Sequence, residues 1–74
     1  MRFIVRVDYY PDGSIVPIGV TNESGESIYI NQIERIDRYF SASGNAEYHF
    51  LCRSKTRVFW LVFCDDRWNI LNLS

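Results

Sequence analysis

The sequence predicts a small all-β protein, an SH3-like, partly open barrel of five to seven antiparallel strands in one domain spanning residues 1–74. Three observations carry that expectation. Strand-like runs recur at intervals of about 8–12 residues with turn signals between them. A chain of 74 residues has room for one core only. Its composition, 47% hydrophobic and 16% aromatic, is that of a folding chain. An OB-type barrel ranks second, because it wants more residues and a helix between its strands.

The first strand is read over Arg2 to Tyr10. Phe3, Val5, Val7 and Tyr9 share one face; Arg2, Arg6 and Asp8 share the other. Pro11-Asp12-Gly13 ends it, since proline presets φ, aspartate caps locally and glycine accepts positive φ. The chain returns as a hairpin over Ile15 to Val20. Pro17 cannot donate to a ladder, so it places this strand at an edge or marks a bulge. Thr21 to Glu26 is a polar loop, and Ser27 to Ile33 is β-rich again.

The segment around 32–42 supports two readings. Ile33, Ile36 and Phe40 fall at helical spacing, Asn31 and Glu34 form a capping-box pair, and Gly44 follows the end. That reading makes the fold α+β with one short helix. The rival is a long, bent strand from Glu34 to Ala42, favoured because every neighbouring element is a strand.

Ser43-Gly44-Asn45 is a turn. Ala46 to Arg53 and Arg57 to Cys64 then read as a hairpin joined through Ser54-Lys55-Thr56. In that register Cys52 faces Val58, Phe50 faces Trp60 and Tyr48 faces Val62. Leu51 with Phe59 and His49 with Leu61 occupy the other face. Both faces are apolar, so the hairpin is central or carries an interface. Phe59, Leu61 and Phe63 are therefore expected to form a partner-binding surface. Asp65-Asp66-Arg67 turns the chain into a last strand, Trp68 to Leu73.

The chemistry-bearing residues are few. In the expected register Cys52 and Cys64 lie roughly 20 Å apart, too far for a disulfide, whose Cα atoms lie within about 7 Å. Free cysteines suit the cytoplasm. His49 has the opposite strand parity to Cys52, so no Cys–His pair forms. The acids have neither calcium-loop nor paired acid–base spacing. No phosphate-binding glycine loop and no G-x-S-x-G element is present. No catalytic residue, metal or cofactor is expected, and the chain is expected not to be an enzyme. A small-molecule pocket has no residue pattern to locate it.

Seven of the eight basic residues are arginine. Arg53, Lys55 and Arg57 cluster at one hairpin tip, with Arg53 and Arg57 directly opposed, a costly like-charge pair. They are the candidates for an anion or nucleic-acid contact, with Tyr39, Tyr48 or Phe59 as stacking surfaces. The bland alternative pairs these arginines with Glu26, Glu34 or Glu47. The net charge of −1 favours the bland alternative. The seven-residue run Val58 to Cys64 is far short of a membrane span, and because Met1-Arg2-Phe3 opens directly into patterned sequence no signal peptide is expected. Asn22-Glu23-Ser24 and Asn72-Leu73-Ser74 match the glycosylation acceptor pattern but mean nothing without a secretory signal. The expected role is a small cytoplasmic binding module, with a protein partner or a second copy of itself, and no membrane.

The order of Pro11-Asp12-Gly13, Pro17, the Ile30 and Ile33 pair, Ser43-Gly44, Tyr48 with Cys52, and Trp68 resembles a group of short bacterial β proteins of unknown function. The likeness spans most of the chain and rests on turn and core residues. It implies a small β-barrel and carries over no catalytic or binding residue.

Overall fold

A computed structural model describes residues 3–71. Seven antiparallel strands run in sequence order: β1 Phe3–Tyr9, β2 Ile15–Asn22, β3 Ser27–Tyr29, β4 Gln32–Phe40, β5 Ala46–Arg53, β6 Val58–Cys64 and β7 Arg67–Leu71. The expected strand positions at Arg2, Asn72 and Leu73, and the second glycosylation pattern, lie outside the described residues. The strands form a three-stranded sheet, β1-β2-β3, and a four-stranded sheet, β4-β5-β6-β7. The chain is thus all-β. It is not a closed barrel: the two sheets meet at one corner, and β1 and β7 do not pair.

The corner is made by two consecutive residues. Ile30 N–H donates to the Ile18 carbonyl at 3.0 Å, in the first sheet, and Asn31 N–H donates to the Arg53 carbonyl at 2.8 Å, in the second. Each backbone group finds a partner as the chain crosses, so the bend leaves neither amide unsatisfied.

Residues 32–40 are strand, not helix. The helical spacing of Ile33 and Ile36 has another cause. Ile33 pairs with Cys52 and Arg35 with Leu51, so Glu34 is an extra residue in the ladder. A bulge shifts strand parity by one. Ile33 and Ile36 therefore both face inward, opposite Cys52 and Phe50. The first sheet repeats the device. Arg6 pairs with Gly19 and Val7 with Pro17, leaving Ile18 as the extra residue. Pro17 and Val20, again three apart, both point into the core and are buried. The bulge reading of Pro17 holds; β2 itself is central, although β3 pairs only with Gly19–Thr21 and stops short of Pro17.

The β5–β6 register differs from the expected one by one residue. Ser54 N–H donates to the Arg57 carbonyl at 2.9 Å, so the loop has four residues, Ser54 to Arg57, and not three. Cys52 then pairs with Phe59, Phe50 with Leu61 and Tyr48 with Phe63. A one-residue slip moves every side chain to the other face. Phe59, Leu61 and Phe63 consequently join Phe50 and Cys52 on the inner face. The fully enclosed core is Val20, Phe50, Cys52, Phe59 and Leu61, with Phe3, Val5, Ile28, Ile30 and Ile33 among those packed around it.

Candidate binding cleft

The residues expected to bind a partner separate into two groups. Phe59 is 1% exposed and Leu61 0%, so both are core residues and offer no surface. Phe63 is half-buried and lines an open cleft. The cause is the register: inner-face rows of this sheet run Ile33–Cys52–Phe59, then Ile36–Phe50–Leu61–Ile70, then Arg38–Tyr48–Phe63–Trp68. Cys52 and Phe59 of the first row and Phe50 and Leu61 of the second are buried, whereas Ile36 at the β4 end of the second row is exposed. The third lies toward the end where the sheets separate.

That separation produces a cleft of about 600 Å³. One wall is the distal half of the β1–β2 hairpin, with Val7, Tyr9 and Ile15; the other is the four-stranded sheet, with Ile36, Tyr48 and Phe63. Phe50 and Trp68 contribute to the lining, and Asp66 stands at its edge. The hairpin residues that line the cleft, Val7, Tyr9, Ile15 and Val16, all lie on the turn side of the β1–β2 bulge. Trp68 ties the cleft to the core through ring contacts with Phe63 at 4.7 Å and Phe50 at 5.7 Å between centroids. Its rim is unusually apolar for a surface: Tyr9 is 79% exposed and Ile36 54%. A second opening, about 690 Å³, follows the unpaired seam between β1 and β7 and is lined by Phe3, Ile4, Val5 and Trp68 with polar neighbours.

The basic tip does not assemble the expected anion site. Arg53 pairs with Val58, not with Arg57, which lies in the loop. The Arg53 guanidinium Nε donates to the Glu34 carboxylate, a bond that the Glu34 bulge makes reachable. Lys55 and Arg57 are exposed on the turn. The aromatics are elsewhere. Phe59 is buried, and Tyr48 lies five residues from Arg53 along β5, about 17 Å at the usual strand rise.

His49 belongs to the outer face of the four-stranded sheet. Its ring stands edge-on to Tyr39, 4.6 Å between centroids, and to Trp60 at 6.5 Å, and its Nε2 is 3.2 Å from the Glu47 carboxylate. Asp37 pairs on the same face with Arg35 Nε at 2.8 Å, which raises the Arg35 pKa through the bond and the adjacent charge. These contacts knit the face together. Among the described residues no three His, Cys, Asp or Glu side chains group as a metal site would need. No described helix is long and apolar enough to cross a membrane.

Both cysteines are free. Cys52 faces the core, and burial pushes its thiol up to about 12 from 9.0. Cys64 faces outward on the other side of the sheet. Its thiol is also raised, chiefly by desolvation and then by the nearby Asp65 and Glu47 charges. A thiol near 12 is almost wholly un-ionised at pH 8, and Cys52 is 0% exposed, whereas Cys64 is half-buried. Titration of native protein with a disulfide reagent should therefore modify Cys64 alone, faster as pH rises, and modify both only in denaturant. Rapid labelling of two thiols in the native state would contradict the placement of Cys52.

Sequence reasoning missed Ile36, Tyr9, Ile15 and Asp66 as cleft residues. The Tyr9-Tyr10 pair running straight into the Pro11-Asp12-Gly13 turn was the available signal, because aromatic residues at a solvated hairpin tip have no core to fill. Comparison with known proteins gives no match: no family model, no curated protein and no solved structure resembles the chain.

Proposed function

We propose that this chain is a non-enzymatic protein-interaction module that receives an apolar segment of another chain in the cleft between the β1–β2 hairpin and the four-stranded sheet. One observation carries the reading. Phe63 and Trp68, which a closed sandwich would seal, are half-buried and border an open cleft whose rim adds exposed Tyr9, Ile36 and Tyr48. Large apolar openings rimmed by aromatics are the usual anchor sites of partner side chains. The free cysteines accord with a reducing compartment, and cytoplasmic placement is part of the proposal.

The test is an NMR titration of the protein with the neutral peptide acetyl-Leu-Phe-Gln-Phe-amide. The expected result is saturable shifts at Val7, Ile15, Ile36, Tyr48 and Phe63, with light scattering giving a monomer near 8.8 kDa. No shifts, or shifts confined to the outer face around Trp60, would overturn the reading. So would a dimer whose formation excludes the peptide, since that gives the cleft to a second copy.

A further inference from the structure

The cleft has an electrostatic character that its apolar walls do not explain. Its lining among the described residues includes no lysine, arginine or histidine, and its charged group is the Asp66 carboxylate. The ion pairs of the described residues use Asp37, Glu47 and Glu34. The neighbouring Asp65 accepts a hydrogen bond from Asn45 Nδ2 at 2.7 Å. Among the described residues Asp66 has no such partner. It sits in the two-residue turn between β6 and β7 with φ at 59°, beside Asp65 at 54°, so the left-handed backbone fixes it at the cleft edge. Arg38, in register with Tyr48, is not part of the lining; its guanidinium lies 5.5 Å from the Phe40 ring centroid.

We infer that the cleft selects a partner segment in which a lysine or arginine stands between apolar residues. This rests on the cleft being the partner site. The chemistry has two parts. Aromatic faces attract a cation through their ring quadrupole, and the lining supplies Tyr9, Tyr48, Phe63 and Trp68. Asp66 supplies a negative charge that no ion pair among the described residues engages. A segment with glutamate at that place would set two carboxylates together, so the arrangement discriminates by repulsion as well as attraction.

The experiment compares acetyl-Leu-Phe-X-Phe-amide peptides with X as Lys, Gln or Glu, against the unaltered chain and Asp66→Asn. Asparagine tolerates the left-handed region as well as aspartate does, so the turn is kept. An undisturbed amide spectrum away from residues 64–68 checks this. The lysine peptide is expected to bind about fivefold tighter than the glutamine peptide, as a cation over aromatic rings beside an exposed carboxylate should. The glutamate peptide should bind weakest. In Asp66→Asn the lysine and glutamine affinities should converge to within about twofold. Equal binding of the three peptides to the unaltered chain overturns the inference and leaves the cleft reading standing. A lysine preference that survives in Asp66→Asn also overturns it, because the charge would then come from elsewhere. Failure of all three peptides to bind overturns the cleft reading itself.

Discussion

Leu61→Ala is expected to lower stability by about 3–5 kcal/mol, measured by urea denaturation with an unchanged slope. Leu61 is 0% exposed and stands between Phe50 on β5 and Ile70 on β7, within the enclosed core. Removing its branched end forfeits the transfer energy of the lost carbons and leaves a cavity, since backbone ladders on both sides limit collapse. Phe59→Ala should cost a similar amount, because Phe59 is 1% exposed against Cys52. For a chain of this size total stability is roughly 4–11 kcal/mol, so either change leaves the fold marginal. If these residues formed a partner surface, as the sequence alone suggests, the same substitutions would cost less than about 0.5 kcal/mol. The two accounts differ by a factor no measurement error can hide.

The double variant Ile36→Ser, Tyr48→Ser should behave in the opposite way. Ile36 is 54% exposed and Tyr48 36%, so both spend much of their surface in water and contribute little to the core. Stability should fall by about 1–2 kcal/mol, less than for Leu61→Ala. Both side chains form the sheet wall of the cleft, and an apolar anchor seated there loses its contacts when they become hydroxyls. Affinity for acetyl-Leu-Phe-Gln-Phe-amide, followed by calorimetry, should drop at least about tenfold. A variant that binds as before would remove the cleft from the account.

The contrast between these variants reflects what the sequence could and could not convey. Strand periods and turns were readable because local chemistry dictates them. Pro11-Asp12-Gly13 makes its hairpin with Gly13 at φ 87°, and Ser43-Gly44-Asn45 turns with Gly44 at the same angle. The Arg53–Glu34 pair was among the anticipated bland contacts of the basic tip. The face assignment of β6 was not readable, because it depended on whether Arg57 belonged to the strand or to the loop. A backbone bond from Ser54 to Arg57, with the Ser54 hydroxyl accepting from Arg57 N–H at 3.1 Å, decides it. That single residue exchanges core for surface along all of Val58–Cys64. Ile33 and Ile36 posed the same problem in another form: a bulge at Glu34 and a helix both put residues three apart on one face, and only pairing with β5 separates them. The cleft was hidden for a further reason. It arises where two hairpins part, and no local pattern encodes the distance between them.

The measurement that bears most directly on the cleft is a set of intermolecular NOEs between acetyl-Leu-Phe-Gln-Phe-amide and the protein. The expected result is contacts from the peptide rings to Tyr48, Phe63 and Trp68 on one wall and to Val7 or Ile15 on the other. Contacts to Trp60 and Leu51 on the outer face, or to Ile4 along the β1 seam, would place the partner elsewhere and contradict the account.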